Sequence, residues 1–574
     1  MEPIQFPEQF NLADYFLFDR LREGLGDKTA IRFGARAYSY AEVAARARAL
    51  ATYFAAAGVA AEQRGYIVLP DAPPFAWAIF ATLAHGAIVT MGNPAAPVED
   101  LANVVDYVRA TVLVTTPAVA VSLVDTLGAS MHLRALLLVP DVATGEDPES
   151  EVAVPAALRG LHVPVLSLAA AIERGRGADD EADGDGDDAD LPLPRVRTHR
   201  DDPCIWLFTS GSTGRAKAAM HTHRDFAFNT EVYAKRTVGY RESDVTVSVP
   251  RLFFGYATGT NLWFPFAVGA TVGLFAERPT PESLAQAIEM YRPTIVTNVP
   301  TMMGKLLEYD DERARAGLGR LDLGSVRFHL SAGEALPPAL LERFLGRFGA
   351  DVYDGIGSAE MFHIYASNRP GDIKPGSLGR AVEGYTIEIL ARDATGPGAP
   401  PLPRGETGVM WVKGDSGATG YFEDRDKSWE TFHGHWCRTG DLFRIDDDGY
   451  LWFSGRADDL FKVSGVWVAP LEVEDCLMRH DAVSLAAVIA AEDGGLTKPK
   501  AFVVVRDGAR SRLATAAGRA GLAEELKQHV HRNLSKHKYP RWVVFVDDVP
   551  RNDRGKVDRK LLAVREVRGE NPGE

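Results

Sequence analysis

A run of hydroxyls and glycines at residues 209–217 carries the residue types that hold phosphate. It follows the apolar stretch Cys204-Ile-Trp-Leu-Phe208 and ends in a lysine. Glycine adopts positive φ and exposes backbone N–H groups, hydroxyls donate hydrogen bonds, and lysine adds a compact positive charge. We therefore expect a polyphosphate-binding loop made of Thr209, Ser210, Gly211, Ser212, Thr213, Gly214 and Lys217.

This loop differs from a Walker loop, which ends in Gly-Lys-Ser/Thr. Two residues separate Gly214 from Lys217, and Ala218 follows the lysine. The run resembles the signature of the acyl-adenylate-forming superfamily, which contains acyl- and aryl-CoA ligases, luciferases and the adenylation domains of peptide synthetases. Members of that family carry Pro-Lys-Gly where this chain has Ala216-Lys217-Ala218.

Two further segments occur in the order that this resemblance implies. Ser331-Ala-Gly-Glu-Ala335 and Asp354-Gly-Ile-Gly-Ser-Ala-Glu360 each follow a predicted strand, and their family counterparts enclose adenine and the α-phosphate. Glu360 is expected to bind Mg²⁺, because a hard cation that bridges phosphate oxygens prefers a carboxylate. Ala359 stands where the family usually has threonine. The resemblance implies ATP contacts from Gly333, Glu334, Ala335, Asp354, Gly355, Ile356, Gly357 and Ser358.

The C-terminal part of the chain contains three more motifs of this kind. In Trp436-Cys-Arg-Thr-Gly-Asp441, the resemblance implies that Asp441 binds the ribose hydroxyls, and that Arg456 reaches ribose and phosphate. Asp458 occupies the family's hinge position. Residues 550–559 resemble the loop of the catalytic lysine, which places Lys556 as the group that bridges the acyl carboxylate and the α-phosphate.

The acyl pocket is expected from residues that resemble the pocket segments of benzoate-CoA ligases. They are Phe254, Gly255, Tyr256, Gly357, His363 and Ile364. Aromatic walls suit an aromatic ring. The alternative for each residue is an ordinary place in the core, and His363 could be a structural histidine.

These parts imply a ligase that activates benzoate or a substituted benzoate with ATP and Mg²⁺ and transfers the aryl group to CoA. A second interpretation is transfer to the phosphopantetheine of an acyl carrier protein. A third, motivated by Ala216 and Ala359, is a nucleotide-binding regulator without turnover. Whether the protein forms a homodimer is left open by the sequence.

Bulk composition narrows the classes of partner. The formal charge of −15 argues against nucleic acid or an anionic membrane surface as the main partner. The N-terminal residues lack a basic region followed by an apolar one, so we expect no signal peptide. Three scattered cysteines predict a reducing compartment, and hence a cytoplasmic protein.

The elements that must position these motifs follow an alternating pattern. Ala-rich helical patterns at 40–57 and 75–85 alternate with apolar strands at 66–69, 111–114 and 135–139, and a second alternation runs through strands at 245–249, 271–275, 294–298, 326–330 and 351–353. Such alternation predicts mainly parallel sheets covered by helices. Short strands between Gly/Pro turns over 376–436 predict a small β-rich subdomain.

We therefore predict an α/β fold with two domains. Residues 1–457 form a large N-terminal domain of two α/β subdomains and the β-rich subdomain, and residues 458–574 form a small, mobile α+β lid. The acidic run at about 177–192 is expected to be a disordered insertion, and a calcium loop is disfavoured by Asp188 at the position of its glycine. Two His-x-His pairs, His221/His223 and His433/His435, lack a matching third ligand for zinc.

Overall fold

The computed structural model describes residues 4–183, 197–210, 216–464, 466–550 and 557–568 of the 574. The chain divides into two compact units. The first consists of residues 1–387 and 412–438, and the second of residues 388–411 and 439–574.

Strands of the first unit form two large sheets. In chain order up to residue 381 they are β1 (Thr29–Phe33), β2 (Arg36–Ser39), β3 (Arg64–Val68), β4 (Ile88–Met91), β5 (Ala110–Thr115), β6 (Ala135–Leu138), β7 (Val165–Ser167), β8 (Pro203–Ser210), β9 (Ala216–Thr222), β10 (Val245–Ser248), β11 (Thr271–Leu274), β12 (Ile295–Asn298), β13 (Phe328–Ala332), β14 (Asp351–Ser358), β15 (His363–Ser367) and β16 (Arg380–Ala381).

The seven-stranded sheet has the order β7-β6-β5-β3-β4-β8-β9, and the nine-stranded sheet has the order β16-β15-β14-β13-β12-β10-β11-β1-β2. Their central pairs are parallel, whereas β8/β9, β14/β15, β15/β16 and β1/β2 are antiparallel. Strands β4, β5 and β6 are buried at every residue, as expected for a parallel sheet that is covered on both faces. The predicted α/β class is confirmed.

The helices of this unit cover the sheets. They are α1 (Asp19–Arg22), α2 (Tyr40–Ala56), α3 (Pro73–Ala84), α4 (Val98–Tyr107), α5 (Pro117–Ser122), α6 (Val124–Ala129), α7 (Leu168–Asp183), α8 (His223–Asn229), α9 (Gly255–Thr258), α10 (Phe264–Ala267), α11 (Pro281–Tyr291), α12 (Pro300–Arg315), α13 (Pro338–Phe348) and α14 (Arg425–Thr431). A capping box between Ser39 and Glu42 starts α2, and two prolines in the first turn start the fully buried α3.

The remaining strands are β17 (Thr386–Leu390), β18 (Gly408–Lys413), β19 (Phe432–His433), β20 (Trp436–Ile445), β21 (Leu451–Arg456), β22 (Phe461–Val463), β23 (Val466–Val468), β24 (Val483–Asp493), β25 (Leu496–Val505) and β26 (Trp542–Phe545). In the second unit, β20 and β21 are antiparallel, β22 and β23 form a hairpin, and β24, β25 and β26 form a three-stranded sheet. The helices α15 (Pro470–Met478), α16 (Ala516–Asn533) and α17 (Arg559–Arg568) complete this unit.

The units do not follow the predicted boundary after residue 457. Residues 388–411 and 439–456 belong to the second unit, although the sequence assigns them to the large N-terminal domain. The physical reason is packing. Helix α15 contacts β21, and a Cβ on Gly455 would lie 3.8 Å from the Cβ of Ala469. The sequence places the boundary by its glycine and charge pattern, which carries no information on such contacts.

The acidic segment also begins differently from the prediction. Helix α7 continues through Asp183, so residues 177–183 are helical rather than part of a disordered insertion at 177–192. Alanine and glutamate favour helix, and an existing helix propagates at little cost. Residues 184–196 lie outside the described part of the chain. Within that described part, no helix is both long enough and apolar enough to cross a bilayer.

Candidate functional site

The predicted phosphate loop joins two paired strands of the first unit. β8 and β9 are antiparallel, with Thr209 opposite Lys217 and Ser210 opposite Ala216. Thr209 is half-buried. Four of the predicted loop residues lie outside the described residues, namely Gly211, Ser212, Thr213 and Gly214. The two strands therefore hold both ends of the turn at adjacent positions.

Lys217 lies at the far end of this turn and is largely buried, with 12% of its side chain exposed. Its Nζ atom is 3.2 Å from Oδ2 of Asp424 and 5.7 Å from the ring centroid of Tyr421. An ammonium group at this depth needs a counter-charge, and Asp424 supplies it. Sequence reasoning missed Asp424, which lies some 200 residues further along the chain.

Glu360 follows β14 and is half-buried. The Tyr421 hydroxyl donates a hydrogen bond of 2.7 Å to its Oε1 atom, and its backbone carbonyl accepts one of 2.8 Å from the Ala418 amide. Burial raises the pKa of Tyr421, so its hydroxyl keeps the proton that it donates.

The arrangement around Glu360 fits Mg²⁺ carried by a nucleotide. Among the described residues, Oε2 of Glu360 accepts no hydrogen bond, and Oγ of Ser358 is buried without a partner. No group of three or more His, Cys, Asp or Glu side chains forms a cage there, as far as the described residues go. Mg²⁺ in nucleotide sites takes one or two carboxylates together with phosphate oxygens and water, so a single carboxylate suffices.

His221 supports the backbone beside Glu360. One of its ring nitrogens, Nε2, lies 2.6 Å from the carbonyl oxygen of Ala359, and the other, Nδ1, lies 3.0 Å from Asp225. The second histidine of the pair, His223, accepts a hydrogen bond from the Leu12 amide, and burial lowers its pKa to about 3. Both imidazoles thus make hydrogen bonds with neighbouring residues.

The two predicted adenine segments lie at the ends of neighbouring parallel strands. Ser331 pairs with Asp354 across β13 and β14, and Asn298 pairs with Ser331 across β12 and β13. Two polar atoms of these segments, Ser331 Oγ and Asp354 Oδ1, are buried without a well-formed hydrogen bond among the described residues, and so is Nδ2 of Asn298 at the end of β12. Burial raises the pKa of Asp354 to about 8, an effect that the nearby Ser331 hydroxyl and Gly355 amide offset only in part.

Beyond this row, Gly333 has a φ of +89° and turns the chain after β13. Ala335 follows in the same turn. Glu334 accepts hydrogen bonds of 3.1 and 2.7 Å from the amide and hydroxyl of Thr301 in the first turn of α12. Its side chain therefore caps a helix, and any ATP contact of this segment would come from the backbone. Asn298 was not identified from the sequence.

Three of the predicted acyl residues, Tyr256, Gly357 and Ile364, lie next to His363. Nε2 of His363 lies 3.0 Å from the carbonyl oxygen of Tyr256, and Gly357 and Ile364 are opposite each other in the β14/β15 pair. Burial lowers the pKa of His363 to about 3, so the ring is neutral, and Nδ1 has no partner among the described residues. Gly255 adjoins β8, because a Cβ there would lie 3.1 Å from Cδ1 of Leu207.

Aromatic rings enclose this histidine. The ring centroids of Tyr233, Tyr256 and Phe264 lie 5.5, 5.3 and 4.6 Å from that of His363. The ring centroid of Phe254 lies 4.5 Å from that of Phe253. The sequence did not identify Tyr233 or Phe264, which lie on segments without a recognisable motif. These buried rings pack around one neutral imidazole.

The second unit holds the predicted ribose residues. Asp441 and Arg456 are register partners on β20 and β21, with Oδ1 of the aspartate 3.0 Å from Nη1 of the arginine. The Asp441 amide donates to Oγ1 of Thr439, and Gly440 has a φ of +73° within strand β20. Asp458 lies in a 3₁₀ turn, Ala457–Asp459. Lys556 lies outside the described residues.

Paired strands on either side of the predicted phosphate loop, the half-buried carboxylate of Glu360 and the glycine-rich ends of parallel strands together form the candidate site of this α/β protein. The model of the AMP-binding enzyme family matches residues 18–422, and that of the AMP-binding enzyme C-terminal domain matches residues 472–556. The chain therefore belongs to the AMP-binding enzyme family.

Particular relatives match nearly the whole chain. A benzoate–CoA ligase of Thauera aromatica is 35% identical, with 97% of each chain covered. The crystal structure of the anthranilate CoA ligase AuaEII in complex with anthranoyl-AMP superposes with a TM-score of 0.83 at 30% identity and 99% coverage of both chains. The crystal structure of a benzoate CoA ligase from Burkholderia xenovorans LB400 superposes with a TM-score of 0.78 at 33% identity. The match covers 96% of this chain and 99% of that chain.

Proposed function

We propose that this protein is an AMP-forming aryl acid–CoA ligase that acts on benzoate or a ring-substituted benzoate. The observation that carries the proposal is the aromatic enclosure around His363, which adjoins the strand that leads into the phosphate turn. The full-length likeness to benzoate–CoA and anthranilate–CoA ligases supports it. The aromatic lining favours a flat ring over an extended acyl chain.

The proposed reaction has two steps. A carboxylate oxygen of the acid attacks the α-phosphorus of ATP, the bond between the α-phosphorus and the bridging oxygen breaks, and pyrophosphate leaves as the aryl-AMP anhydride forms. The thiolate of CoA then attacks the carbonyl carbon of the anhydride and AMP leaves. No protein nucleophile is needed, so positioning and electrostatic stabilisation lower the barrier.

Each group of candidate residues would bind a different part of ATP or the acid. Lys217, with Thr209 and the turn that follows, would hold the leaving pyrophosphate. The row at the ends of β12, β13 and β14 would face the adenine. Asp441 would accept hydrogen bonds from the ribose hydroxyls, with Arg456 beside it, and Lys556 would bridge the acyl carboxylate and the α-phosphate.

Glu360 would hold the cation, with Ser358 close to the same phosphate oxygens. Mg²⁺ bound there would supply charge neutralisation at the phosphate oxygens. Asp458 would be the hinge about which the C-terminal residues change position between the two steps.

An acid screen tests this function. Purified protein is given ATP, Mg²⁺ and one of benzoate, hydroxybenzoates, aminobenzoates or cyclohexanecarboxylate, and pyrophosphate release is measured. We expect release with aromatic acids and a weaker signal with the saturated ring. ATP binding without pyrophosphate release for any acid would indicate the nucleotide-binding regulator instead.

The acceptor is tested in the same reactions. Thioester formation is compared between free CoA and a carrier protein that bears phosphopantetheine. We propose CoA, and a thioester formed only on the carrier protein would reassign the enzyme to carrier loading. All three cysteines are free, which supports a reducing compartment and a cytoplasmic location. Whether the enzyme is a homodimer is tested by light scattering.

A further inference from the structure

A segment remote in sequence pairs with the strand that leaves the phosphate turn. The Met220 amide of β9 donates to the carbonyl oxygen of Gly420 at 2.9 Å, and the Phe422 amide donates to that of Ala218 at the same distance. Tyr421 faces Ala219 in an antiparallel bridge between these bonds. Residues 418–424, called the edge segment below, thus pair with β9 through these backbone hydrogen bonds and a single bridge at Tyr421.

Contacts of Phe422 with Tyr107 and Trp206 also hold this edge segment in place. The Tyr107 hydroxyl donates a hydrogen bond of 2.6 Å to the carbonyl oxygen of Phe422, and the ring of Phe422 packs 4.4 Å from that of Trp206. Asp424 at its end reaches Lys217. The backbone of the segment has little freedom, so a side chain on it can set the position of another.

Because the backbone around Tyr421 is held in place, the Tyr421 hydroxyl is a fixed hydrogen-bond donor to Glu360. Its side chain is buried against Ala219 and Ala418, with 7% of the residue exposed, and its hydroxyl donates to one oxygen of the carboxylate. A glutamate has three rotatable side-chain bonds, and a hydrogen bond to one oxygen orients the other. Partners of this kind around metal-binding side chains commonly change metal affinity by about 10–100-fold when they are removed.

We propose that Tyr421 is a positioning residue that orients the Glu360 carboxylate to bind the nucleotide-bound magnesium. The inference rests on the proposed function, in which Glu360 binds that cation. In this proposal Tyr421 is not itself a ligand of the cation, and its hydroxyl acts through Glu360. The edge segment therefore carries one group for each end of the candidate triphosphate site, Tyr421 for the metal carboxylate and Asp424 for the lysine.

Calorimetric ATP binding without any acid tests the proposal at a series of MgCl₂ concentrations. For Tyr421→Phe, which keeps the ring and removes the hydroxyl, we expect the Mg²⁺ concentration for half-maximal binding to rise about 10-fold. ATP affinity at saturating Mg²⁺ should stay within about twofold of the wild type, since the cation still binds when abundant.

Tyr107→Phe is the matched control. It removes a half-buried tyrosine hydroxyl that donates a hydrogen bond to the same segment, and this hydroxyl makes no hydrogen bond to Glu360. We expect its Mg²⁺ requirement to stay at the wild-type value. Equal shifts in the two variants would assign Tyr421 a structural role and overturn the proposal.

Two further variants separate this inference from the function on which it rests. If Glu360→Gln leaves the Mg²⁺ dependence unchanged, the metal role of Glu360 itself is wrong. If Glu360→Gln shifts it and Tyr421→Phe does not, only the positioning role is wrong. Should Tyr421→Phe fail to fold, Glu360→Asp withdraws the carboxylate from the Tyr421 hydroxyl. An unchanged Mg²⁺ requirement in that variant would overturn the positioning role.

Discussion

At the scale of the residue, Lys217 and Glu360 carry opposite charges and are both held by residues 421–424. This arrangement preserves a buried ammonium group while no nucleotide is present, because Asp424 neutralises it at 3.2 Å. A triphosphate would offer Lys217 oxygens of higher charge than one carboxylate does. A triphosphate bound as proposed would therefore compete with Asp424 for Lys217.

Lys217→Ala should lower the rate of pyrophosphate release by about 10²–10³-fold, the usual loss when one donor to a developing charge is removed. Steady-state release at saturating acid and ATP measures the effect. Lys235→Ala is the control, because Lys235 is also half-buried and paired, with Glu231 at 2.6 Å, but its partners lie away from the phosphate turn. A loss in Lys217→Ala no larger than in Lys235→Ala would contradict the role given to Lys217.

Asp354 should make the stability of the folded protein depend on pH. Its folded pKa of about 8 lies above the unfolded value near 4, so the folded state binds more protons between these limits. The contribution of the protonated carboxyl is complete below about pH 4 and is lost as the pH rises towards 8, by at most about 1.4 kcal/mol per pH unit. Asp354→Asn removes this titration.

We therefore expect the free energy of unfolding of Asp354→Asn to gain on that of the wild type between pH 5.5 and 8, by roughly 1–3 kcal/mol. Urea unfolding of the ligand-free proteins at the two pH values measures the gain. Asp351→Asn, at the exposed start of the same strand, should show no such trend. A pH-independent difference for Asp354→Asn would mean that this carboxyl is ionised in the folded state.

At the scale of the element, β14 and β15 set the geometry of the acyl residues. The pairing register shifts between Ile356 and Gly357, which re-aims the side chains at the site, and Phe362 takes a φ of +54° just before β15. Gly357 has no room for a side chain, since a Cβ there would lie 2.2 Å from the carbonyl oxygen of His363. The two strands approach as closely as they do because this residue is glycine.

Gly357→Ala should push the two strands apart, destabilise the fold by about 1–3 kcal/mol and weaken binding of the aryl acid. Thermal unfolding and the KM for the acid measure these effects. The control is Gly346→Ala in α13, where a Cβ meets nothing within 4 Å and alanine should stabilise the helix by about 0.5–1 kcal/mol. Similar stabilities for the two variants would show that the strands can separate freely.

At the scale of the whole molecule, the proposed chemistry draws on both compact units. Glu360 and Lys217 belong to the first unit, whereas Asp441 and Arg456 belong to the second. Lys556 falls within the residue range of the second unit. The two half-reactions should therefore respond differently to changes in the second unit, because the hinge at Asp458 would present different C-terminal residues in each step.

Lys556→Ala should nearly abolish formation of the aryl-AMP while sparing thioester formation from supplied aryl-AMP and CoA. The reason is that a lysine between the carboxylate and the α-phosphate stabilises charge only in the first step. Single-turnover assays of each half-reaction make the comparison. Equal damage to both would contradict a change of position between the steps.

The amino-acid sequence by itself determined the fold class, the order of the motifs and most of the strands. The predicted strand at 135–139 differs from Ala135–Leu138 by one residue, and the predicted strand at 245–249 differs from Val245–Ser248 by one residue. These features depend on local patterns of apolar residues and glycine, which a single chain displays directly. Errors arose at strand ends, as where β13 begins at Phe328 rather than 326 and β14 extends to Ser358.

Only the tertiary structure decided which distant residues complete the site. Tyr421 and Asp424 contact Glu360 and Lys217 because residues 418–424 pair with β9, and Asn298, Ser331 and Asp354 align because three strands share one register. The grouping of residues 439–456 with the C-terminal unit has the same origin. Sheet order and register join segments far apart in the chain, and no local pattern encodes which segments will meet.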